Sequence, residues 1–196
     1  MVSHVYEMTH GVIRRGIDTL VVIDDSIVRG TTLEKSIIRL LDKLGPKKIV
    51  IVSSAPQIRF PDCYGIDMSI VKEFVAFRAM LALLKERGME YLKEEVYQKI
   101  IEAKNNKSLE KQNFVKLLFE PFTDQEISNK IAEIIRPEGI EAEVSVVYQT
   151  VENLHKACPN HLGDWYFTGN YPTPGGNKVV NTAFKNFKEG KLIRAY

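Results

Sequence analysis

The chain has 196 residues, of which 44% are hydrophobic, 27% charged and 9% aromatic, and its 27 Lys and Arg against 25 Asp and Glu give a net charge of +2. This composition excludes a disordered or collagen-like chain, and without a block of basic residues it predicts neither nucleic acid nor a membrane as partner. Two cysteines make no disulfide framework and no run of about 18 apolar residues occurs, so we expect a cytoplasmic protein.

Two short β-branched runs, Thr19–Asp24 and Lys48–Ser53, are typical of buried strands. Between them, leucine and isoleucine recur at helical spacing from Leu33 to Leu44, and Gly45 ends the pattern. Strand, helix and strand in this order predict an α/β fold with a right-handed parallel βαβ unit. Ligands of open α/β sheets bind where the strands end.

The next stretch, residues 71–103, is rich in helix-forming residues and has a predicted break at Gly88. Its apolar residues recur at helical spacing, which indicates a helix with one face in the core. A polar linker is predicted over residues 105–108.

A second β-α-β pattern follows the linker. Residues 114–119 suggest a strand, Thr123 and Glu126 form a capping-box pattern that begins a helix, and residues 141–148 alternate as a half-buried strand does. This region is either a small added subdomain or an extension of the first sheet. The tail from Trp165 is rich in proline and glycine, and we expect a packed loop there.

Two adjacent carboxylates, Asp24 and Asp25, end the first predicted strand. Side chains of adjacent strand residues point to opposite faces, but at a strand end the chain can turn both toward one ligand. Carboxylates accept hydrogen bonds from a ribose diol, and they also bind hydrated divalent cations. The pair therefore predicts a ligand that carries hydroxyl donors or positive charge.

The turn after the acidic pair has the complementary chemistry. Gly30 allows a tight bend and a close approach to a ligand, while Thr31 with Glu34 matches a capping box and Thr32 adds a hydroxyl. Free amides at a helix N-terminus bind phosphate, so the turn and the acidic pair together fit a 5-phosphorylated ribose. The alternative interpretation is a strand end with solvated aspartates and an ordinary capped helix.

Three segments carry a resemblance to one enzyme family, the amidophosphoribosyltransferases. Residues 21–32 resemble the family's motif for phosphoribosyl pyrophosphate (PRPP), residues 54–68 are similar to the segment after its next strand, and residues 167–173 are similar to its C-terminal motif. The resemblance implies a type I phosphoribosyltransferase sheet, here incomplete, with an additional C-terminal α/β region. By it, residues 1–104 are the C-terminal part of the transferase domain and residues 105–196 an extension packed on it.

The resemblance also implies roles for individual residues. Asp24 and Asp25 would bind the ribose hydroxyls of PRPP and help to place Mg²⁺ as the cofactor. The 5-phosphate would be wrapped by the turn, which consists of Ser26, Ile27, Val28, Arg29, Gly30, Thr31 and Thr32. The family reaction displaces pyrophosphate with glutamine-derived ammonia and gives 5-phosphoribosylamine, in de novo purine biosynthesis.

Several parts of the family pattern do not occur in this sequence. The N-terminal glutaminase domain with its first-residue cysteine is missing, since Val2 follows Met1, and the pyrophosphate loop and the closing loop are missing as well. We therefore expect the C-terminal portion of a longer enzyme, inactive by itself. The resemblance further implies purine nucleotides as ligands and a homo-oligomer in the full enzyme.

One cluster suggests a second metal site. His155, Cys158 and His161 lie three residues apart, and such nitrogen and sulfur ligands can hold zinc, but a satisfied turn is the simpler interpretation. Some family members carry an iron–sulfur cluster. With only Cys63 and Cys158, this chain has too few thiolates for the usual four, and we expect no such cluster.

Two other functions remain open at this point. A regulator with the same fold would bind PRPP or a nucleotide without performing chemistry, as a sensing module. Another type I transferase would use a nucleobase, although the Ile27–Arg29 continuation of the motif is typical of the amidotransferases.

Overall fold

A parallel three-stranded sheet is the centre of the fold in the computed structural model, which describes residues 11–63, 68–161, 163–191 and 193–195. The strands are β1 (Thr19–Asp24), β2 (Lys48–Ser53) and β3 (Glu143–Tyr148), and they lie side by side in that order. β2 is parallel to both neighbours. The predicted α/β fold class and the parallel βαβ unit are confirmed, and the first two strands have their predicted bounds.

The strand register separates two faces of the sheet. Leu20, Ile49 and Val144 are aligned across the three strands, and so are Val22, Ile51 and Val146. This face is buried in the core, where Ile49 and Ile51 are fully covered. The residues between them in sequence point to the other face by strand alternation. Among these, Val21 and Ile23 are 61% and 74% exposed.

The connection from β1 to β2 is helical, as predicted. A π-helical turn, Leu33–Ile37, continues into helix α1 (Ile38–Asp42). The chain then crosses from β2 to β3 through two longer helices, α2 (Val75–Glu86) and α3 (Tyr91–Asn105). The predicted break at Gly88 falls between these helices and is confirmed.

Helix α4 (Asp124–Ile135) completes the crossover and packs against both α2 and β3. Its predicted capping box is confirmed: the Glu126 amide donates to Oγ1 of Thr123 at 3.2 Å, and the Thr123 amide donates to Oε2 of Glu126 at 2.8 Å. Because Ile127, Ile131 and Ile135 of this helix are fully buried, its start is coupled to the core.

Replacing Thr123 with Ala should lower the free energy of unfolding by about 1 kcal/mol, because the Glu126 amide loses its acceptor and the Glu126 carboxylate loses the Thr123 hydroxyl. Urea unfolding followed by circular dichroism measures the change. Thr150→Ala is the matched control. Thr150 caps α5 (Val151–Ala157), which buries no residue, so we expect a smaller loss of unfolding free energy there. An equal loss at the two sites would contradict this assignment.

Residues 114–119, predicted as a strand, instead contain a 3₁₀ helix, Phe114–Leu118. The amide of Val115 donates to Oδ1 of Asn113 at 3.0 Å, and the amide of Phe114 donates to Oδ1 of Asn181 at 3.1 Å. The strand prediction is wrong because these two amide side chains take the backbone donors that a neighbouring strand would need.

The prediction of a packed loop for the tail is also wrong in part. It contains α6 (Trp165–Thr168) and a long helix, α7 (Pro174–Lys188), in which Val180 and Phe184 are fully buried. Pro174 lies in the first turn, where a missing amide hydrogen costs nothing. A Cβ on Gly176 would lie 2.3 Å from Cδ1 of Tyr171, so this glycine makes room for a core ring.

The strand β3 joins the first sheet, so of the two arrangements left open for this region the structure has the sheet extension. The boundary between residues 104 and 105 stays a prediction. None of the helices in the described part of the chain is long and apolar enough to cross a membrane.

Candidate functional site

An open cavity of about 520 Å³ lies at the carboxyl end of β1. The loop after β1 and the first turn of the following helix form most of its wall, and Met68 comes from the segment after β2. Parallel strands of α/β proteins bind ligands at this end. The residues lining it are Asp24, Ser26, Ile27, Val28, Arg29, Gly30, Thr31, Thr32, Leu33 and Met68.

The structure separates the two aspartates. Asp24 lines the cavity, and Asp25 does not, although every other residue predicted for the site does. Asp24 lies on the core face of β1, so alternation sends the next side chain to the opposite face. The Asp25 amide donates to Oδ1 of Asp24 at 3.0 Å, and the Ser26 hydroxyl donates to Oδ1 of Asp25 at 3.3 Å. That both carboxylates turn toward one ligand stays a prediction, and of the two only Asp24 lines the cavity in this structure.

Gly30 marks the transition from the loop to the helix. Its φ of +71° is in the left-handed region, and a Cβ there would lie 2.8 Å from Cγ2 of Ile135. The Glu34 amide donates to the Gly30 carbonyl at 3.0 Å, which makes Thr31 and Thr32 part of the helix. The predicted Thr31–Glu34 capping box is therefore wrong, since a residue inside the helix cannot be its cap.

Contacts from α2 hold the loop in place. The Val75 amide donates to the Val28 carbonyl at 2.8 Å, and Nη2 of Arg78 donates to the Arg29 carbonyl at 2.8 Å. Nε of Arg29 lies 2.8 Å from Oε2 of Glu73 in an exposed ion pair. Ile27 is buried, so within the predicted site it anchors the loop to the core. The loop that forms the cavity wall is thus held by α2, by the ion pair with Glu73 and by the burial of Ile27.

Ser54 has no role predicted from the sequence, but it contacts the backbone of the acidic pair. Its amide and its Oγ both lie 3.0 Å from the Asp24 carbonyl oxygen, and its Oγ also donates to the Asp25 carbonyl at 3.3 Å. It therefore fixes the backbone of the acidic pair. The sequence does indicate this position, because two parallel strands of equal length bring the residues that follow them, here Asp25 and Ser54, to the same edge of the sheet.

The second and third segments of family resemblance pack against each other. The Arg59 and Phe60 amides donate to the Tyr166 carbonyl at 2.9 and 3.1 Å, and the hydroxyl of Tyr171 donates to the Pro61 carbonyl at 2.5 Å. Burial raises the pKa of the Tyr171 phenol. The Arg59 guanidinium bonds to Gln57, away from the cavity lining. Residues 64–67 lie outside the described residues.

The structure does not form the second metal site. Among the described residues, no group of three or more His, Cys, Asp or Glu side chains is placed to hold a metal ion. Nε2 of His155 lies 3.2 Å from Oδ2 of Asp164, whereas Cys158 and His161 are exposed. The spacing of three residues does not bring these ligands together because the chain leaves α5 at Ala157.

Curated proteins similar to this chain are amidophosphoribosyltransferases, which confirms the resemblance. The Escherichia coli (strain K12) protein is 51% identical over 57 residues, which are 29% of this chain and 11% of that protein. The Pasteurella multocida protein is 48% identical over 58 residues, 30% of this chain and 11% of that protein. The Lachancea kluyveri protein is 43% identical over 72 residues, 36% of this chain and 14% of that protein.

The similarity is local. The matches cover about a third of this chain and only 11–14% of these three relatives. The Escherichia coli relative is more than twice as long as this chain, because the same 57 residues are 29% of one and 11% of the other. No family model matches the chain.

Proposed function

We propose that this chain is the PRPP-binding portion of an amidophosphoribosyltransferase, an enzyme of de novo purine biosynthesis. The observation that carries the proposal is the cavity at the end of β1, in which a carboxylate and a glycine-containing turn that begins a helix share one wall. The identity to enzymes of that name, 40–51% over about 57–72 residues, supports it.

The two ends of the cavity suit the two ends of a phosphorylated sugar. Asp24 accepts hydrogen bonds from adjacent ribose hydroxyls at the strand end. At the other end, the first amides of the helix after Gly30 have no partner within the helix and point at the 5-phosphate. The hydroxyls of Thr31 and Thr32 are exposed on the same wall and donate to phosphate oxygens. The turn thus binds a phosphate largely through its backbone amides.

Magnesium fits this site as an ion that enters with the substrate. Mg²⁺ is usually bound by one or two carboxylates, several waters and substrate phosphates, and no complete protein cage is needed. Asp24 supplies one carboxylate in the cavity, and its Oδ1 also accepts from the Asp25 amide, which fixes its orientation. When bound, the ion would offset the charge of the pyrophosphate as it leaves.

The reaction proposed for the complete enzyme displaces pyrophosphate from the anomeric carbon with ammonia and forms 5-phosphoribosylamine. The transition state has positive charge on the ribose ring, so holding the sugar and placing charges matter more than a protein nucleophile. Among the described residues that line the cavity, Arg29 is the single basic one, and it is paired with Glu73. We therefore propose that the chain alone binds PRPP but does not turn it over.

Ligand-dependent thermal stabilisation tests the proposal. With Mg²⁺ present, PRPP and ribose 5-phosphate should both raise the melting temperature, because both carry the ribose diol and the 5-phosphate. Pyrophosphate with Mg²⁺ should give a smaller shift, because it lacks the ribose hydroxyls that bind Asp24. Absence of a shift with both pentose phosphates would refute the proposed function, and an equal shift with pyrophosphate would refute recognition of the ribose.

A further inference from the structure

A second cavity, of about 140 Å³, lies between helix α7 and a short 3₁₀ helix, Val71–Glu73. We call it the α7 cavity. It shares no lining residue with the cavity at the end of β1, although Met68 lines that cavity and the next residue, Ser69, lines this one. One water needs about 10–15 Å³ of such space, so the α7 cavity has room for a small organic molecule.

Two buried polar side chains line the α7 cavity without a partner. Ser69 and Asn186 are 4% and 7% exposed. Neither the Ser69 hydroxyl nor the Asn186 carboxamide forms a hydrogen bond with another described residue. Buried polar groups in native proteins are almost always paired, and each unpaired one needs an explanation. The two side chains therefore indicate an occupant that supplies their missing hydrogen bonds.

A second buried asparagine in the same helix shows the contrast. Nδ2 of Asn181 donates to the carbonyls of Leu109 and Gln112 at 2.9 and 2.8 Å, and its Oδ1 accepts from the Phe114 amide at 3.1 Å. Asn181 is thus fully used within the fold. Asn186, five positions later, faces the α7 cavity in place of such partners. A buried amide without partners costs stability, so its presence is explained by what it binds.

The charges and the apolar part of the wall restrict the ligand. Lys72 and Lys191 bring two ammonium groups to the wall, and no Asp or Glu is among the described residues that line it. Nζ of Lys191 also lies 2.7 Å from Oε2 of Glu189, which is not part of the wall. A carboxylate accepts hydrogen bonds from amide, hydroxyl and ammonium donors. The remaining wall is largely hydrocarbon and includes Ile70, Val71, Ala183 and Phe187.

We propose that the α7 cavity is a binding site for a small carboxylic acid with an apolar body. The carboxylate accepts hydrogen bonds from Nδ2 of Asn186 and Oγ of Ser69, and the two lysines offset its charge. The hydrocarbon body packs against Val71 and Phe187, as ligands do in pockets that combine apolar walls with a few polar groups. This site goes beyond the proposed function, because it shares no residue with the cavity proposed for PRPP.

Titration of the 196-residue chain with benzoate tests the site, followed by ¹H–¹⁵N NMR without PRPP. Benzoate should shift the side-chain amide signals of Asn186 and the backbone amides of residues 69–72 in a saturable manner. The Asn186 signals are assigned by their loss in Asn186→Leu. Benzamide has the same ring but no charge, and it should bind at least about tenfold more weakly, the loss of a charge-assisted hydrogen bond. 4-Methylpentanoate is a second, aliphatic carboxylate probe.

Asn186→Leu separates a ligand-binding amide from a structural one. This variant should lose benzoate binding while its melting temperature stays equal or rises, because an apolar side chain replaces an unpaired buried amide. Asn181→Leu is the matched control in the same helix, and it should lower the melting temperature because three backbone groups lose their partner. Ser69→Ala is a milder second variant, which should weaken benzoate binding in a chain that stays folded.

Four results would overturn the proposal. Absence of shifts with both benzoate and 4-methylpentanoate would leave water as the occupant, and equal affinity for benzamide would remove the role of the carboxylate. Unchanged benzoate binding in both Asn186→Leu and Ser69→Ala would place the ligand elsewhere. Displacement of benzoate by ribose 5-phosphate would place it in the cavity at the end of β1. PRPP binding is measured separately, so the outcome at one cavity does not decide the other.

Discussion

Asp24→Asn combined with Asp25→Asn should abolish the stabilisation of the chain by PRPP. A ligand at 100 times its Kd adds about 2.7 kcal/mol to the free energy of unfolding, which is about 5–10 °C in melting temperature for a chain of this size. Amide side chains accept the ribose hydroxyls less strongly and carry no charge for Mg²⁺. Thermal melts with and without PRPP and Mg²⁺ measure the difference.

The matched control also removes two negative charges. Glu95→Gln with Glu102→Gln changes two exposed carboxylates on α3, far along the chain from the cavity lining, and should leave the PRPP shift intact. If the aspartate variant keeps its PRPP shift, the site assignment is wrong. A lost shift in both double variants would indicate a general effect of charge.

The two single variants should lose unequal amounts of affinity for PRPP. Asp24 lines the cavity and Asp25 does not, so Asp24→Asn should weaken PRPP binding by about 10- to 100-fold, the loss of a charge-assisted hydrogen bond. Asp25→Asn should change Kd less than threefold in the 196-residue chain. Titration calorimetry gives both values. Equal losses would mean that the loop turns both carboxylates to the ligand on binding.

Gly30→Ala should lower the free energy of unfolding by about 2–5 kcal/mol. The left-handed backbone costs an alanine about 1–2 kcal/mol, and overpacking against the core typically adds about 1–3 kcal/mol. The added methyl would lie 2.8 Å from Cγ2 of Ile135, so either the loop or α4 must move. Urea unfolding measures the loss, and PRPP binding should weaken as well because the helix start shifts.

Gly88→Ala separates the two contributions to that loss. Gly88 has a φ of +66°, close to that of Gly30, but a Cβ there would have no atom within 4 Å. Gly88→Ala should therefore lower the free energy of unfolding only by the cost of the left-handed backbone, about 1–2 kcal/mol. If both variants lose the same stability, the contact with Ile135 contributes nothing and the turn has room that the structure does not show.

The sheet and the site differ in how far sequence pattern predicts them. The bounds of β1 and β2 follow from two β-branched runs, and the start of α4 follows from Thr123 and Glu126, because strand formation and capping depend on neighbouring residues. The loop from Asp24 to Thr32 was also recognisable, since its residue types are unusual together.

The errors have a common physical origin in contacts between distant residues. Pro174 and Gly176 predict a loop at α7 because both residue types are common in loops, yet the ring of Tyr171 and the buried Phe184 stabilise a helix there. Residues 114–118 became a 3₁₀ helix because Asn181, some 67 positions away, binds the amide of Phe114. No local pattern contains such partners.

The strand–helix–strand pattern of residues 19–53 was enough to predict the α/β class, and the motif from Asp24 to Thr32 pointed to a phosphorylated sugar as ligand. The packing of the described residues added three facts: Asp25 does not line the cavity, Gly30 lies against Ile135, and Val21 and Ile23 are exposed on the second face of the sheet. Each depends on which face of a strand meets which helix. Hydrophobic periodicity shows that a residue can be buried, but only the neighbours that fold against it determine whether it is.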